Sequence, residues 1–514
     1  MSGAGEPHTA SPRRTAGGPA APPGRRAIAV ALMMAMALTA LDSTVVATAV
    51  PQIVGDLGGF SYFSWLFSGY LLAGTVSLPV YGKLSDTLGR KPVLLFGITL
   101  FLAGSALCAG SWNMAALVVF RIVQGFGGGA VQSTVQTLAA DLYSLEERPR
   151  IQAAISSVWA GSAVLGPAVG GLITAWADWR LIFLLNVPLG LVSLLLLARR
   201  LHEPPRERAD GRPPVDWAGA LALFLTGCVL LTTIVEGGHA WPWLSVPSLA
   251  LLGAGAALLA ATVVIERRAA DPVLPSWVWR RRPIAAANLA MAALGVLTIA
   301  PTVFLPTYAQ SVLGLDPLRA GFVLAVMSVA WPVSAAFSQH VYRRIGFRQS
   351  AMAGMAVACP VLLAFPALSG TRSPWLPALV SLALGAALGI TQLPLIVGVQ
   401  STVPPSERGT ATASILFCRQ LGSSIGAAVF GSLANTILNS RLQAVSSGLP
   451  SAGDRTLDTL TSTLASPATP ASAAGPLRDA LATAVDWVYV GAAAAAALAV
   501  AALFLAPRRF PVLD

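Results

Sequence analysis

Residues 82–91 read Gly-Lys-Leu-Ser-Asp-Thr-Leu-Gly-Arg-Lys and lie between two long apolar runs, Tyr62–Tyr81 and Pro92–Gly110. Two helices that leave a bilayer and re-enter it need a polar hairpin between them, because unpaired backbone groups are costly in lipid. Gly82 and Gly89 suit a tight turn or a close approach of two helices at this hairpin. The stretch therefore predicts a short, charged connection between two membrane-spanning helices.

The composition extends this prediction to the whole chain. Its 514 residues are 55% hydrophobic and 11% charged, and the mean hydropathy is +0.70. A soluble domain carries about 25% charged residues. Apolar runs of about 20 residues, the length with which a helix crosses a bilayer, recur to the end of the chain. We predict an all-α integral membrane protein with about fourteen spans, since the short alternating segments of a membrane β-barrel do not occur in the sequence.

The net charge of +11 would by itself fit nucleic-acid binding, but the positions of the charges indicate membrane topology. With fourteen spans, roughly 25 of the 33 Lys and Arg residues fall on one side of the membrane. Cytoplasmic loops carry an excess of these residues, so we expect both termini in the cytoplasm. The usage of Ala, Arg and Pro suggests a bacterial source, and thus a protein of the bacterial cytoplasmic membrane that binds no nucleic acid.

No metal or cofactor site is expected from the cysteines. All four lie in apolar helical runs without the spacing of metal ligands, so we interpret them as small buried hydrophobic side chains. They are Cys108, Cys228, Cys359 and Cys418.

An internal repeat divides the chain into six, two and six spans. Residues 121–124 and 131–135 read Arg-Ile-Val-Gln and Val-Gln-Ser-Thr-Val. Residues 389–392 and 399–403 read Gly-Ile-Thr-Gln and Val-Gln-Ser-Thr-Val, which makes spans 4 and 12 counterparts in two parallel-related halves. The expected segments are a disordered cytoplasmic tail (1–26), an N-terminal six-helix bundle (27–199), linkers with two extra spans (200–283), a C-terminal six-helix bundle (284–507) with an outer loop at 439–484, and a cytoplasmic tail (508–514).

The spacing G-x-L-x-D-x-x-G-R-K at residues 82–91 resembles the signature loop between the second and third spans of the major facilitator superfamily. The resemblance implies a secondary transporter that rocks between two states around a central site. Twelve-span members lack the two extra central spans. In this respect the chain is similar to the fourteen-span drug:proton antiporters (EmrB/QacA type).

In such transporters the acid of this loop meets the cytoplasmic end of a helix in the other half. Here that helix is span 13, whose first turn near residues 406–408 offers unpaired amides and a positive dipole end. We predict that the acid, which we expect to face water, latches the two halves in the outward-facing state. The residues assigned to this latch are Gly82, Asp86, Gly89, Arg90 and Lys91.

Asp42 is a carboxylate inside an apolar helix, and Arg121 is its predicted partner. A buried acid is costly, so its affinity for a proton rises unless a cation answers it. Helix rise places the two residues roughly 13 Å and 10 Å from the outer ends of spans 1 and 4, so a contact across the central cavity is feasible. Leu117–Gly129 resembles the superfamily's fourth-span motif, which is tied to proton coupling. A purely structural ion pair is the alternative.

Span 5 carries a glycine-rich motif with one proline. Glycines allow close contact between helices, and a proline removes one hydrogen bond from the helical ladder. The pattern resembles the antiporter motif of drug exporters, although a generic packing face is the alternative. The residues of this motif are Gly161, Gly166, Pro167, Gly170 and Gly171.

Polar groups inside spans are predicted to line a substrate pocket. For Arg419 two placements remain open: it either lines the cavity or reaches the cytoplasmic headgroups. The predicted pocket residues are Gln124, Gln132, Tyr308, Gln310, Gln392, Gln400 and Arg419.

These observations favour a proton-coupled exporter of an amphipathic small-molecule drug or antibiotic, working by alternating access. Inward proton flow supplies about 2.3 kcal/mol per charge per 100 mV. No nucleotide-binding G-x4-GK[ST] loop occurs, and no catalytic set converges, so we do not expect an enzyme. The alternatives are an uptake symporter of the same fold and a membrane-anchored sensor or scaffold.

Overall fold

The structure is a computed structural model that describes residues 25–58, 63–203, 216–236, 241, 245–368, 373–443 and 471–511. The predicted tail at 1–26 lies outside these ranges except for its last two residues, and most of the linker after residue 203 is also outside. Six helices come first: α1 (Arg25–Leu57), α2 (Phe63–Leu88), α3 (Arg90–Ala109), α4 (Met114–Leu142), α5 (Arg148–Trp176) and α6 (Arg180–Arg200). A central pair follows: α7 (Trp217–Glu236) and α8 (Val246–Arg268). The last six are α9 (Arg282–Ile299), α10 (Pro317–Ile345), α11 (Phe347–Ala364), α12 (Trp375–Ser401), α13 (Arg408–Gln443) and α14 (Ala471–Phe504).

Thirteen of the described helical segments are long and apolar enough to cross a membrane. The remaining long helix, α2, lies outside this set. It packs against α4, α13 and α7, so neighbouring helices cover much of its surface. The all-α membrane fold predicted from composition and apolar runs is confirmed.

The helices form two bundles that meet along two equivalent interfaces. Within the first bundle α1 packs on α5 and α6, and α4 packs on α2 and α3; within the second, α9 packs on α13 and α14, and α12 packs on α10 and α11. The main contacts between the bundles are α2 with α13 and α5 with α10. The internal repeat maps α2 onto α10 and α5 onto α13, so the two interfaces are related by the duplication.

Two glycines in the left-handed region of φ mark corresponding turns of the two bundles. Gly89, between α2 and α3, has φ 108°, and Gly346, between α10 and α11, has φ 89°. Side chains other than glycine are disfavoured at positive φ. The glycine kept in both copies of the hairpin is therefore a backbone requirement of each copy.

Two features of the second bundle differ from a plain reading of the sequence. A π-helical turn, Ala300–Phe304, follows α9 and contains Pro301, whose missing N–H interrupts the ordinary ladder. Helices α13 and α14 also extend into the range assigned to the outer loop, to Gln443 and from Ala471. Residues 444–470 of that loop lie outside the described residues.

Candidate functional site

A cavity of about 410 Å³ lies between the two bundles. Helices α1, α2, α4 and α5 form one wall, and α9, α10, α12 and α13 form the other. Two tryptophans, Trp159 and Trp331, face it from opposite bundles. Large aromatic faces beside a few polar groups suit an amphipathic small molecule.

The polar lining of the cavity includes four side-chain amides beside a larger number of hydroxyl groups. Gln132 and Gln136 come from α4, Gln392 from α12 and Gln420 from α13. The side-chain amide oxygens (Oε1) of Gln136 and Gln392 are buried without a hydrogen-bond partner in the described part of the protein. Buried polar groups are normally paired, so these two oxygens are acceptors available to a ligand.

Asp42 and Arg121 form an ion pair that is sealed inside the first bundle, with side-chain exposures of 0% and 1%. The Asp42 carboxylate also accepts hydrogen bonds from Gln124 Nε2 at 2.8 Å and from Asn186 Nδ2 at 3.0 Å. Both amides also donate to the hydroxyl of Ser105. Since an unpaired carboxylate at this depth is costly, the cation and the two amides together explain how the charged form is held.

This arrangement corrects the expectation of a contact across the central cavity. Asp42 and Arg121 belong to the same bundle, and neither lines the cavity. Thr39 and Ser43 of α1 do line it, and so does Tyr70, whose ring lies 4.1 Å from the guanidinium carbon of Arg121. The ion pair thus sits one side chain behind the cavity wall.

The second bundle has no counterpart of this pair at the repeat-related position. Gly389 occupies the place of Arg121, and a Cβ there would lie 2.8 Å from the backbone nitrogen of Ala335. Helices α10 and α12 therefore approach too closely for a side chain at this point. At this repeat-related position, the buried ion pair is therefore a specialisation of the first bundle.

At one end of the molecule, Asp86 joins the bundles; we call this the Asp86 end. Its carboxylate accepts hydrogen bonds from the backbone nitrogens of Gly409 at 2.9 Å and Thr410 at 2.7 Å, and from the Thr410 hydroxyl at 2.8 Å. Gly409 and Thr410 lie in the first turn of α13, where free N–H groups and the helix dipole favour an anion. The side chain is 6% exposed, so the expectation that it faces water is wrong.

Arg90 extends this contact into a chain of charges. It pairs with Asp86 at 2.9 Å and with Asp141 at 2.9 Å, and it donates to the carbonyl of Pro405 in the other bundle. Asp141 in turn pairs with Arg408 at 3.0 Å. Asp141, on α4, was missed by the sequence reasoning because it lies at the end of an apolar run, where a carboxylate needs no explanation.

Glycines bring the backbones of α2 and α13 together beside Asp86. A Cβ on Gly82 would lie 2.7 Å from the carbonyl oxygen of Gly409. Lys91, by contrast, stays within the first bundle and donates to the carbonyl of Ala198 at 2.7 Å. Close backbone contact at Gly82 is what allows the Asp86 carboxylate to reach the amides of α13.

Two of the four glycines in the span-5 motif pack against α1. A Cβ on Gly166 would lie 2.6 Å from that of Thr44, and one on Gly170 would lie 2.8 Å from the carbonyl oxygen of Val45. Gly161 and Gly171 meet no described atom within 4 Å of such a Cβ. Pro167 lies inside α5 between the two packed glycines. The motif thus acts here as a contact between two helices of the first bundle.

The predicted pocket residues separate into two groups. Gln132, Gln392 and Arg419 line the cavity. Gln400 is buried beyond it, and its side-chain amide donates to the backbone carbonyl of Gln136 at 3.3 Å. The others do not line it: Gln124 is in the Asp42 network, Tyr308 is in the core of the second bundle, and Gln310 is exposed.

Sequence reasoning also missed Asn186 and Asp486. Asn186 is a lone amide in the apolar α6, and this isolation was the available signal. Asp486 lies well inside α14, and its Oδ1 is buried without a hydrogen-bond partner in the described part of the protein. The sequence predicts a span that begins at Val485, which places Asp486 at the end of the span, where a carboxylate is unremarkable, whereas the helix begins fourteen residues earlier.

Comparison with known proteins agrees with this architecture. The sequence profile of the Major Facilitator Superfamily matches residues 32–427. Multidrug resistance protein 3 of Bacillus subtilis is 31% identical over 423 residues, which is 82% of this chain and 82% of that protein. The multidrug transporter protein MdtP of the same organism is 29% identical and covers 80% of this chain and 75% of that protein.

A solved structure shares the fold. The human organic anion transporter MFSD10 superposes with a TM-score of 0.61 over 94% of this chain and 100% of that one, at 17% identity. The sequence profile and the 31% identical relative confirm the predicted superfamily. This chain belongs to the major facilitator superfamily and is a multi-pass membrane transporter, not an enzyme.

Proposed function

We propose that the protein is a proton-coupled exporter of amphipathic drugs, a fourteen-span drug:proton antiporter of the EmrB/QacA type. The observation that carries this proposal is the buried Asp42–Arg121 pair, which lies one side chain behind the wall of an amphipathic cavity. The names of the relatives, two multidrug transporters of Bacillus subtilis, support export of drugs. The central pair α7 and α8 supports the fourteen-span type.

Coupling follows from the competition of a proton and a guanidinium for one carboxylate. Neutral Asp42 no longer attracts Arg121, so protonation frees the guanidinium to move toward Tyr70 and the cavity. The change alters the electrostatic potential of the cavity wall and thereby the affinity for substrate. A proton taken from outside and released inside on each cycle would then drive export.

Alternating access requires an end that closes and opens. In this structure the Asp86 end is closed, because Asp86 contacts the first turn of α13 and Arg90 contacts Pro405 just before that helix. We propose that this end is cytoplasmic, as the excess of Lys and Arg on that side suggests, and that both termini are cytoplasmic in a bacterial cytoplasmic membrane. The structure then corresponds to the outward-facing part of the cycle, with Asp86 as the latch.

The direction of transport is the test. In this orientation, inside-out vesicles energised by respiration are expected to take up at least one of three amphipathic dyes (anionic 1-pyrenebutyrate, neutral Nile red and cationic ethidium), and an uncoupler should abolish the uptake. Vesicles without the protein provide the baseline. Uptake into energised right-side-out vesicles instead would overturn export and indicate a symporter, whereas uptake that ignores the uncoupler would overturn proton coupling.

A further inference from the structure

The central cavity has one charged side chain and no acid. Its lining, all within the described residues, contains Arg419 and no Asp, Glu, Lys or His. Asp42 is adjacent in sequence to the cavity-lining Ser43, but its carboxylate lies outside the cavity and pairs with Arg121. The electrostatic potential in the cavity is therefore positive, and the low dielectric constant of the surrounding protein strengthens it.

Among the described residues, none pairs with the guanidinium of Arg419. Its Nε is buried without a hydrogen bond, and no ion pair to its guanidinium exists within the described part of the chain. A buried or half-buried guanidinium normally pairs with a carboxylate or with a full set of acceptors. An unpaired guanidinium that faces a cavity is therefore a candidate binding site for an anionic ligand.

The backbone of α13 at Arg419 packs closely against α9. Gly295 of α9 lies against the Arg419 carbonyl, and a Cβ there would be 2.8 Å from the backbone nitrogen of Ser423. Ser423, one turn further along α13, donates to the Arg419 carbonyl at 3.2 Å and also lines the cavity. Helices α9 and α13 are thus locked together at the level of the arginine, so its side chain emerges from a rigid base.

We propose that Arg419 is the recognition site for an anionic group, and that the preferred substrates are amphipathic carboxylates rather than cations. A planar guanidinium binds a carboxylate through two parallel hydrogen bonds, which gives both charge and orientation. Trp159 and Trp331 take the apolar body, and the amides of Gln392 and Gln420 contact its polar substituents. This inference rests on the proposed export function and names the substrate class of the same cavity.

Three probes with one apolar body test the assignment: 1-pyrenebutyrate, the neutral 1-pyrenebutanol and a pyrenebutyl trimethylammonium cation. Binding is measured on the purified protein in lipid nanodiscs, with protein-free nanodiscs subtracted. The wild type should bind the carboxylate at least about tenfold more tightly than the alcohol, and the cation least. Arg419→Gln should weaken carboxylate binding roughly 30-fold and change alcohol binding little, because only the charged pair is lost.

Two further variants separate recognition from folding. Arg419→Lys keeps the charge without the two-pronged geometry and should retain an intermediate preference for the carboxylate. Gln420→Ala alters the same wall without changing charge and should affect all three probes alike. A wild type that binds the carboxylate no better than the alcohol, or an Arg419→Gln protein that keeps the preference, would overturn the assignment.

The anion site and proton-coupled export can be tested independently of each other. Uncoupler-sensitive uptake of the cationic probe into inside-out vesicles, without any preference for the carboxylate in binding, would overturn the anion site and leave export intact. A clear carboxylate preference without gradient-driven movement of any probe would overturn proton-coupled export and leave the anion site intact.

Discussion

Asp86→Asn should open the Asp86 end of the protein. The carboxylate accepts three hydrogen bonds from Gly409 and Thr410 and pairs with Arg90, and its side chain is only 6% exposed, so solvent screens these contacts little. The amide keeps one acceptor oxygen but presents an NH₂ group to a backbone N–H. A hydrogen bond to a charged group contributes about 1.5–3 kcal/mol, so we expect a loss of about 3 kcal/mol. This corresponds to roughly a 150-fold shift from the closed toward the open state.

Distances across the Asp86 end can be measured by electron spin resonance. Glu146 and Arg343 face each other from different bundles with side-chain exposures of 72% and 52%, so spin labels at these positions report opening. Their exposed ion pair is worth at most about 1 kcal/mol, and its loss should not open the end by itself. With the four native cysteines replaced by alanine, the Asp86→Asn protein should show a longer distance as its main population.

Asp316→Asn is the matched control. Asp316 also accepts a hydrogen bond from a backbone N–H at the start of a helix, from Arg319 at 2.9 Å, and it pairs with the same arginine. These contacts stay within α10 and do not join the bundles. An unchanged distance in the Asp86→Asn protein, or an equal change in the Asp316→Asn protein, would refute the latch.

Three further predictions concern stability in detergent, measured as thermal unfolding. Gly166→Ala should lower the melting temperature, because its Cβ would lie 2.6 Å from that of Thr44 and overpacking costs about 1–3 kcal/mol. Gly171→Ala should leave the melting temperature unchanged, because its Cβ meets no described atom within 4 Å. An equal effect of the two substitutions would contradict the packing role of Gly166. Gly89→Ala should destabilise by about 1–3 kcal/mol because φ is 108° at this turn, and an unchanged melting temperature would show that the turn relaxes without cost. The pKa of Glu147 is lowered to about 2 from 4.5 because the guanidinium of Arg25 donates hydrogen bonds to its carboxylate. Its stabilising contribution is therefore complete above about pH 4.5 and is lost as the pH falls toward 2, so the difference between wild type and Glu147→Gln should shrink over that range and should not grow.

The positions of the helices along the chain were largely predictable, because lipid imposes length and apolarity on every spanning segment. The hairpin at residues 82–91 and the pairing of Asp86 with the start of α13 followed from one motif and from the free amides of a helix terminus. The ends of α13 and α14 were not predictable. The Ser-, Thr- and Ala-rich composition near Ala471 is compatible with both loop and helix, and packing decides between them.

Depth in the membrane was predictable, but the direction of a side chain around its helix was not. Counting residues placed Asp42 and Arg121 at similar depths, and they do pair, yet the rise per residue carries no information on whether the pair faces the cavity. The same limit left both placements of Arg419 open until the neighbours of α13 were known. Tyr308 shows the opposite error, since a polar residue near a predicted cavity turned inward to the core.

The central claim is that Asp42 takes up and releases a proton during each cycle. The proton competes with the guanidinium of Arg121 for the carboxylate. This claim is tested most directly in proteoliposomes, by comparing pH-gradient-driven transport with gradient-free exchange of labelled for unlabelled substrate in the Asp42→Asn protein. The neutral amide cannot take up and release the proton but leaves the cavity lining unchanged. We predict that gradient-driven transport is lost and exchange persists, whereas gradient-driven transport at the wild-type rate would contradict the account.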